Sequence, residues 1–241
     1  MIDLNRRNML SLVAATGAAT TLAGVTASPA AAAAAATAGS GLTPDQALQR
    51  LRDGNRRFVE DKAPEVDIST RRRLEIAKGQ TPFAALVGCA DSRVGPEHLF
   101  GTGLGDLFIV RTAGNYVDDA GFGSLAYAVS ELKVPLIVVL GHEKCGAVAA
   151  ANAVLNDSAK LPPSLLRMVQ PILPASIEAR TASVPAGDLL DRTIHLNVKR
   201  VADGLRQTRD PLLADPIAKR TLRVVGAYYD LDTGAVNFFD T

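Results

Sequence analysis

Three short apolar runs, Phe83 to Val87, Leu107 to Val110 and Leu136 to Leu140, are spaced along the middle of the chain with stretches of helical pattern between them. None alternates with polar residues, so both faces of each would be buried, the pattern of strands in a parallel sheet. Gly123 to Leu132 fits a helix between the second and third runs, and Cys145 to Leu155 fits another after the third. Parallel strands joined by helices need right-handed crossovers and helical cover on both faces. The predicted fold class is therefore α/β: a single domain with a central, mostly parallel β-sheet flanked by helices. Leu222 to Tyr229 and Ala235 to Phe239 flank a turn at Asp232-Thr233-Gly234 and read as a terminal hairpin, giving about four parallel strands and an antiparallel edge strand.

Around this frame, Thr43-Pro44-Asp45-Gln46 carries the signals of a helix start: a capping hydroxyl, proline at the first helical position and glutamine three residues after the cap. Ala47, Leu48, Leu51 and Phe58 recur at helical spacing, with Arg50, Arg52, Arg56 and Arg57 on the wet side. This stripe packs either on a partner or on its own core. A second helix is predicted from Thr70 to Lys78, stopping at Gly79, with Arg71, Arg72 and Arg73 as its solvated face. Residues 156 to 187 contain five prolines and read as loop mixed with short helix, whereas Leu189, Leu190, Ile194, Val198, Val201 and Leu205 define a long amphipathic helix. There is no internal repeat.

A chain of 241 residues, 47% hydrophobic and 21% charged, can bury one sizeable core. Its net charge of +1, without a concentrated basic face, gives nucleic acid nothing to bind. Residues 1–36 stand apart from the folded domain expected over residues 37–241. Asn5-Arg6-Arg7-Asn8-Met9-Leu10 opens a mildly apolar stretch, and an alanine-rich tract follows. Paired arginines point to a twin-arginine export signal and a periplasmic or extracellular destination, with Ser28-Pro29-Ala30 and the run to Ala36 offering cleavage sites. Thr16, Gly17, Thr20, Thr21 and Gly24 dilute the stretch too far for a membrane anchor.

The residues that carry chemistry fall just past the carboxyl ends of two predicted strands. One ends in Gly88-Cys89-Ala90-Asp91-Ser92-Arg93, the other in Gly141-His142-Glu143-Lys144-Cys145-Gly146. Ligands of open α/β sheets collect beyond strand carboxyl ends, so Cys89, Asp91, His142 and Cys145 are expected to converge. Two thiolates, an imidazole and a carboxylate or water form a tetrahedral set suited to Zn2+. Cys145 also opens a helix, where unpaired N–H groups favour its thiolate. The competing reading is a Cys89–Cys145 disulfide, the usual fate of two cysteines in an exported protein. It would leave His142 and Asp91 without a reason to be there.

Cys-x-Asp-x-Arg followed about fifty residues later by His-x-x-Cys resembles the signature of the β-class carbonic anhydrases. The likeness runs from Gln80 to Tyr229 through Gly79-Gln80-Thr81-Pro82, Phe108-Ile109-Val110-Arg111, Ala113-Gly114-Asn115, Tyr127-Ala128-Val129, Asn197-Val198 and Gly226-Ala227-Tyr228-Tyr229. The resemblance implies a zinc enzyme that reversibly hydrates CO2 to bicarbonate and a proton. Cys89, His142 and Cys145 would be the protein ligands, Asp91 and Arg93 a catalytic dyad, and Gln80, Phe100 and Tyr127 the substrate pocket. It also implies a homodimer or tetramer, with sites near the subunit interface and N-terminal helices extending onto a partner. In some members the aspartate moves onto zinc in a closed form linked to bicarbonate in a side pocket. Arg111, Gly88 and Tyr229 match parts of that pocket, but Leu86 stands where those members carry tryptophan.

Two further readings keep the site and change its use. Relatives of this fold hydrolyse carbonyl sulfide or carbon disulfide, and a non-catalytic zinc-binding protein would use the metal structurally. Structural zinc needs no carboxylate poised by an arginine, which favours an enzyme. His98, after Pro96, and His195, on the long helix, have no partner spacing that suggests ligation and read as structural or surface residues.

Overall fold

The structure is a computed structural model that describes residues 39–156, 159–181 and 189–240. The export signal and its boundary, read in residues 1–36, lie outside these residues. Thr43 caps helix α1 (Pro44–Val59) by a capping box: its hydroxyl accepts from the Gln46 amide, and Gln46 Oε1 accepts from the Thr43 amide. Ser69 caps α2 (Thr70–Ile76). There follow β1 (Ala84–Gly88), α3 (Pro96–Leu99), β2 (Leu107–Arg111), α4 (Asp119–Ser130), β3 (Leu136–His142), α5 (Gly146–Asn156), α6 (Pro163–Val169), α7 (Leu173–Thr181), α8 (Leu189–Arg206), α9 (Pro211–Ala218), β4 (Arg223–Tyr229) and β5 (Val236–Asp240).

The sheet has the order β2-β1-β3-β4-β5, with β5 alone antiparallel. This is the predicted mostly parallel sheet with one antiparallel edge strand. Every residue of β1 and β3 is buried, as their unbroken apolar runs require. Alternate side chains enter opposite cores. Ala85, Val87, Ile137 and Val139 meet Leu125, Val129, Val198, Leu205 and Leu213 from α4, α8 and α9. Ala84, Leu86, Leu136, Val138 and Leu140 meet Leu48, Leu51, Leu99 and Phe100 from α1 and the region of α3. A third cluster, beyond the carboxyl ends of the strands, gathers Cys89, Cys145, Val148, Val169, Ile172 and Ile194.

Of the two outlets for the first helix, its own core is the one it uses. Helix α2, by contrast, buries no residue, and Leu74 is 65% exposed. The proline-rich stretch is more helical than its composition suggests, because Pro163 sits in the first turn of α6, where its missing N–H costs nothing.

The sheet-facing side of α1 includes two residues outside the apolar pattern, Gly54 and Asn55. Asn55 Nδ2 donates to the carbonyls of Leu99 and Gly234, and its Oδ1 accepts from the Val236 amide, tying helix to hairpin. A Cβ at Gly54 would fall on the backbone of Phe100. Gly54→Ala should therefore destabilise the protein by about 1–2 kcal/mol: a clash with backbone, which cannot swing aside, takes the upper part of the overpacking range, about 2–3 kcal/mol, and the helix-propensity gain returns about 1. The expected reading is a Tm lower by roughly 2–8 °C in thermal unfolding; a higher Tm would show that the close approach does not constrain α1.

Candidate metal centre

β1 lies between β2 and β3, so the chain leaves it toward one neighbour and later returns to the other. The crevice beyond the paired carboxyl ends of β1 and β3 is the topological switch point of the sheet. Gly88, the last residue of β1, pairs with Leu140 of β3, so β1 ends two residues short of His142, the last residue of β3, and Cys89 follows level with Gly141. A turn with Lys144 in the left-handed region, φ 55°, brings Cys145 back at the start of α5. Glu143 supports that turn: its amide donates to the Tyr229 carbonyl, one carboxylate oxygen accepts from the Leu231 amide, and the other pairs with Lys144 Nζ at 2.9 Å.

The donor atoms of Cys89, His142 and Cys145 all lie within 4.8 Å of one another, and all three residues are buried. Among the described residues this is the one such group. His142 is fully buried, and its Nδ1 lies 2.8 Å from the Glu143 carbonyl. A carbonyl only accepts, so Nδ1 carries the proton and Nε2 presents a lone pair. That Nε2 has no hydrogen-bond partner. A buried imidazole nitrogen left bare, its opposite nitrogen fixed by a carbonyl, is the arrangement of a metal-ligating histidine. The two sulfurs are 3.9 Å apart, against about 3.8 Å for the edge of a tetrahedron with ~2.3 Å zinc–sulfur bonds. Both cysteines are free, and the sulfurs are too far apart for the competing disulfide. The residues present thus fit a tetrahedral zinc ion.

The thiols titrate as a pair. A hydrogen bond from Cys145 pulls Cys89 well below the ordinary thiol range against its burial, with the Gly114 amide helping. Cys145 is pushed up by the same bond, by burial and by the Cys89 charge, which outweigh the helix-start amides of Ala147 and Val148. A dication beside both sulfurs would ionise both.

Asp91 stands beside this group rather than in it. Its Oδ1 accepts from the amide and Nε of Arg93, both at 2.9 Å, and its Oδ2 accepts from Arg93 Nη2 at 2.7 Å. This fork holds the carboxyl well below the usual carboxylate range. Asp91 Oδ2 lies 3.8 Å from His142 Nε2, so the carboxylate borders the donor set. Arg93 Nη2 also reaches the Lys144 carbonyl at 3.3 Å, bridging the two strand-end loops.

The three residues matched to a substrate pocket do not meet within one chain. Gln80 is exposed in the loop before β1, Tyr127 is 43% exposed and rests against Phe108, and Phe100 is buried in the α1-side core against Phe238. Arg111, matched to a bicarbonate pocket, donates to the carbonyls of Cys89, Asp91 and Val94 at 2.8–2.9 Å and so clamps the ligand loop. Tyr229 and Leu86 are core residues. His98 is exposed and His195 stacks on Tyr228 at 4.5 Å, neither belonging to the donor group. The roles of Arg111 and Glu143 escape the sequence pattern, since each acts through backbone groups distant in the chain.

A family model described as carbonic anhydrase matches residues 84–236, from β1 into β5. Carbonic anhydrase 2 of Mycobacterium tuberculosis H37Rv is 42% identical over 193 residues, covering 79% of this chain and 90% of that protein. The carbonic anhydrase of Mycolicibacterium smegmatis is 41% identical over 194 residues, covering 80% of this chain and 92% of that one. Among solved structures, a tetrameric β-carbonic anhydrase of the ascomycete Sordaria macrospora superposes with a TM-score of 0.63 at 27% identity, covering 80% of this chain and 96% of that one. The matched span contains both strand ends that build the donor group, and on that ground the chain belongs to the β-carbonic anhydrase family, a family of enzymes.

Proposed function

We propose that this chain reversibly hydrates CO2 to bicarbonate and a proton, with a zinc ion held by Cys89, His142 and Cys145. The observation that carries the reading is the bare, buried Nε2 of His142 facing two sulfurs spaced for one tetrahedral ion. When bound, the ion would supply Lewis acidity, lowering the pKa of a water it holds to about 7.

The chain's own residues do the rest. Arg93 holds Asp91 ionised and fixes its plane with paired bonds to both oxygens. Asp91 Oδ2 can accept the O–H of the reacting water, so that a lone pair rather than a proton faces the substrate carbon. Arg111 holds the loop that carries both Cys89 and Asp91. Gln80 would donate to a substrate oxygen, and Phe100 and Tyr127 would bound the pocket. Gln80 and Tyr127 are both exposed, so such a pocket needs a neighbouring subunit over them. A homodimer or tetramer is therefore part of the proposal. The half-buried edge strand β2 and the uncovered α2 are surfaces for it, and the Sordaria relatives are tetramers.

Residues 1–36, we propose, direct export by the twin-arginine route to the periplasm or the cell exterior. That route passes folded proteins, so the thiols could take up metal before reaching an oxidising compartment.

Stopped-flow CO2 hydration by the purified protein, run beside carbonyl sulfide hydrolysis, tests the reaction; activity on the sulfide alone would reassign the substrate. Elemental analysis should find one zinc per chain, and Cys145→Ser should lose both metal and activity. Asp91→Asn should keep its zinc and lose about 10²-fold in kcat/KM, because orientation is removed and the metal is not. Full activity in that variant would remove Asp91 from its role. Lysine at both Arg6 and Arg7 should retain precursor inside the cell, as read by fractionation; unchanged export would refute the routing.

A further inference from the structure

Asn197 is 2% exposed on α8, where its neighbours Ile194 and Val198 enter the apolar core. An amide there costs about 1–3 kcal/mol unless it is paired. Its Nδ2 donates to the Gly114 carbonyl at 2.9 Å. On the other side of the same residue, the Gly114 amide donates to Cys89 Sγ at 3.3 Å. Gly114 lies in the left-handed region, φ 80°, and a Cβ there would collide with Ile172 and press on Ala147, so only glycine fits. Glycine is also the residue least able to hold its own orientation, and the turn containing it is pinned from outside.

We propose that Asn197 is a positioning residue for the metal centre: it anchors Gly114 so that the Gly114 N–H stays aimed at the Cys89 sulfur and draws electron density from it. A sulfur that accepts a hydrogen bond donates less charge to its metal, which leaves the metal more acidic. Removing Asn197 frees the glycine, lengthens the N–H···S contact and makes the sulfur a more electron-rich, less well-placed ligand. The proposal rests on the metal-centre reading above.

Cobalt(II) in place of zinc gives the test, because sulfur-to-cobalt charge transfer reports the electron density of the thiolates. Asn197→Leu should move that band to longer wavelength and weaken zinc binding about tenfold in competition with a chelator, as loss of an outer-shell partner does. Asn197→Ala, which removes bulk instead of keeping it, should do the same, and serves if the leucine variant does not fold. Thr193→Val, on the same helix as Asn197, is the control: it deletes a buried hydrogen bond to Asn152 of α5 without touching Gly114. It should lower stability and leave the band in place. A band and affinity in folded Asn197 variants equal to wild type, or an equal shift in Thr193→Val, would overturn the proposal while leaving the metal centre standing. A wild-type protein that takes up cobalt without any charge-transfer band would overturn both.

Discussion

The pairing of β1 with β3 is the constraint on which the site depends. Gly88 opposite Leu140 sets how far Cys89 stands from His142, and the side-chain period of two means that a slip of one residue would send each strand's inward set to the wrong face. Neither strand could tolerate that slip, because alternate residues of both are already packed into two separate cores. Burial on both faces thus fixes, beyond the ends of the strands, the separation of donors that belong to different segments of chain.

Holding these donors together is unfavourable by itself. Two sulfurs and a bare imidazole nitrogen lie in an apolar cluster with Val148, Ile172 and Ile194. The loops around them are correspondingly over-determined. Arg111 grips three carbonyls of one loop, Glu143 and Lys144 bind the other to the β4–β5 hairpin, and Arg93 spans both. Lys144 keeps a left-handed backbone that a non-glycine residue adopts only at a cost of about 1–3 kcal/mol. Cradles of this kind place ligands before a metal arrives, so that binding need not order them.

Most of the fold was legible because β1 and β3 carry unbroken apolar runs, over residues 84–87 and 136–140, a pattern that double-sided burial explains. The ligands were legible because they sit where those patterns stop. What escaped were residues whose reason lies elsewhere in the chain. Gly54 lacks a side chain because Phe100 is there, and Asn197 is polar because the Gly114 carbonyl is there; neither neighbour is near in sequence. Helix α9 (Pro211–Ala218) escaped for another reason: it carries two prolines, one of them, Pro216, inside the helix, whereas Asp210 caps it and Pro211 occupies its first turn. The pocket residues Gln80, Phe100 and Tyr127 were assigned by resemblance, and a single chain leaves them apart.

Whether three donors make a structural or a working site turns on the fourth position. Structural zinc is closed by four protein ligands, while catalytic zinc keeps one place for water. Here the nearest group able to close the set is Asp91, and both its oxygens are engaged by Arg93. For Asp91 to ligate, it would have to leave a paired, charge-assisted fork whose second function is to hold the Lys144 carbonyl, and so loosen the turn that carries Cys145. The arginine therefore keeps the carboxylate charged and holds it beside the donor group rather than within it. A donor set left open in this way by an ion pair, rather than by the lack of a fourth donor, is what the proposed hydration chemistry would need.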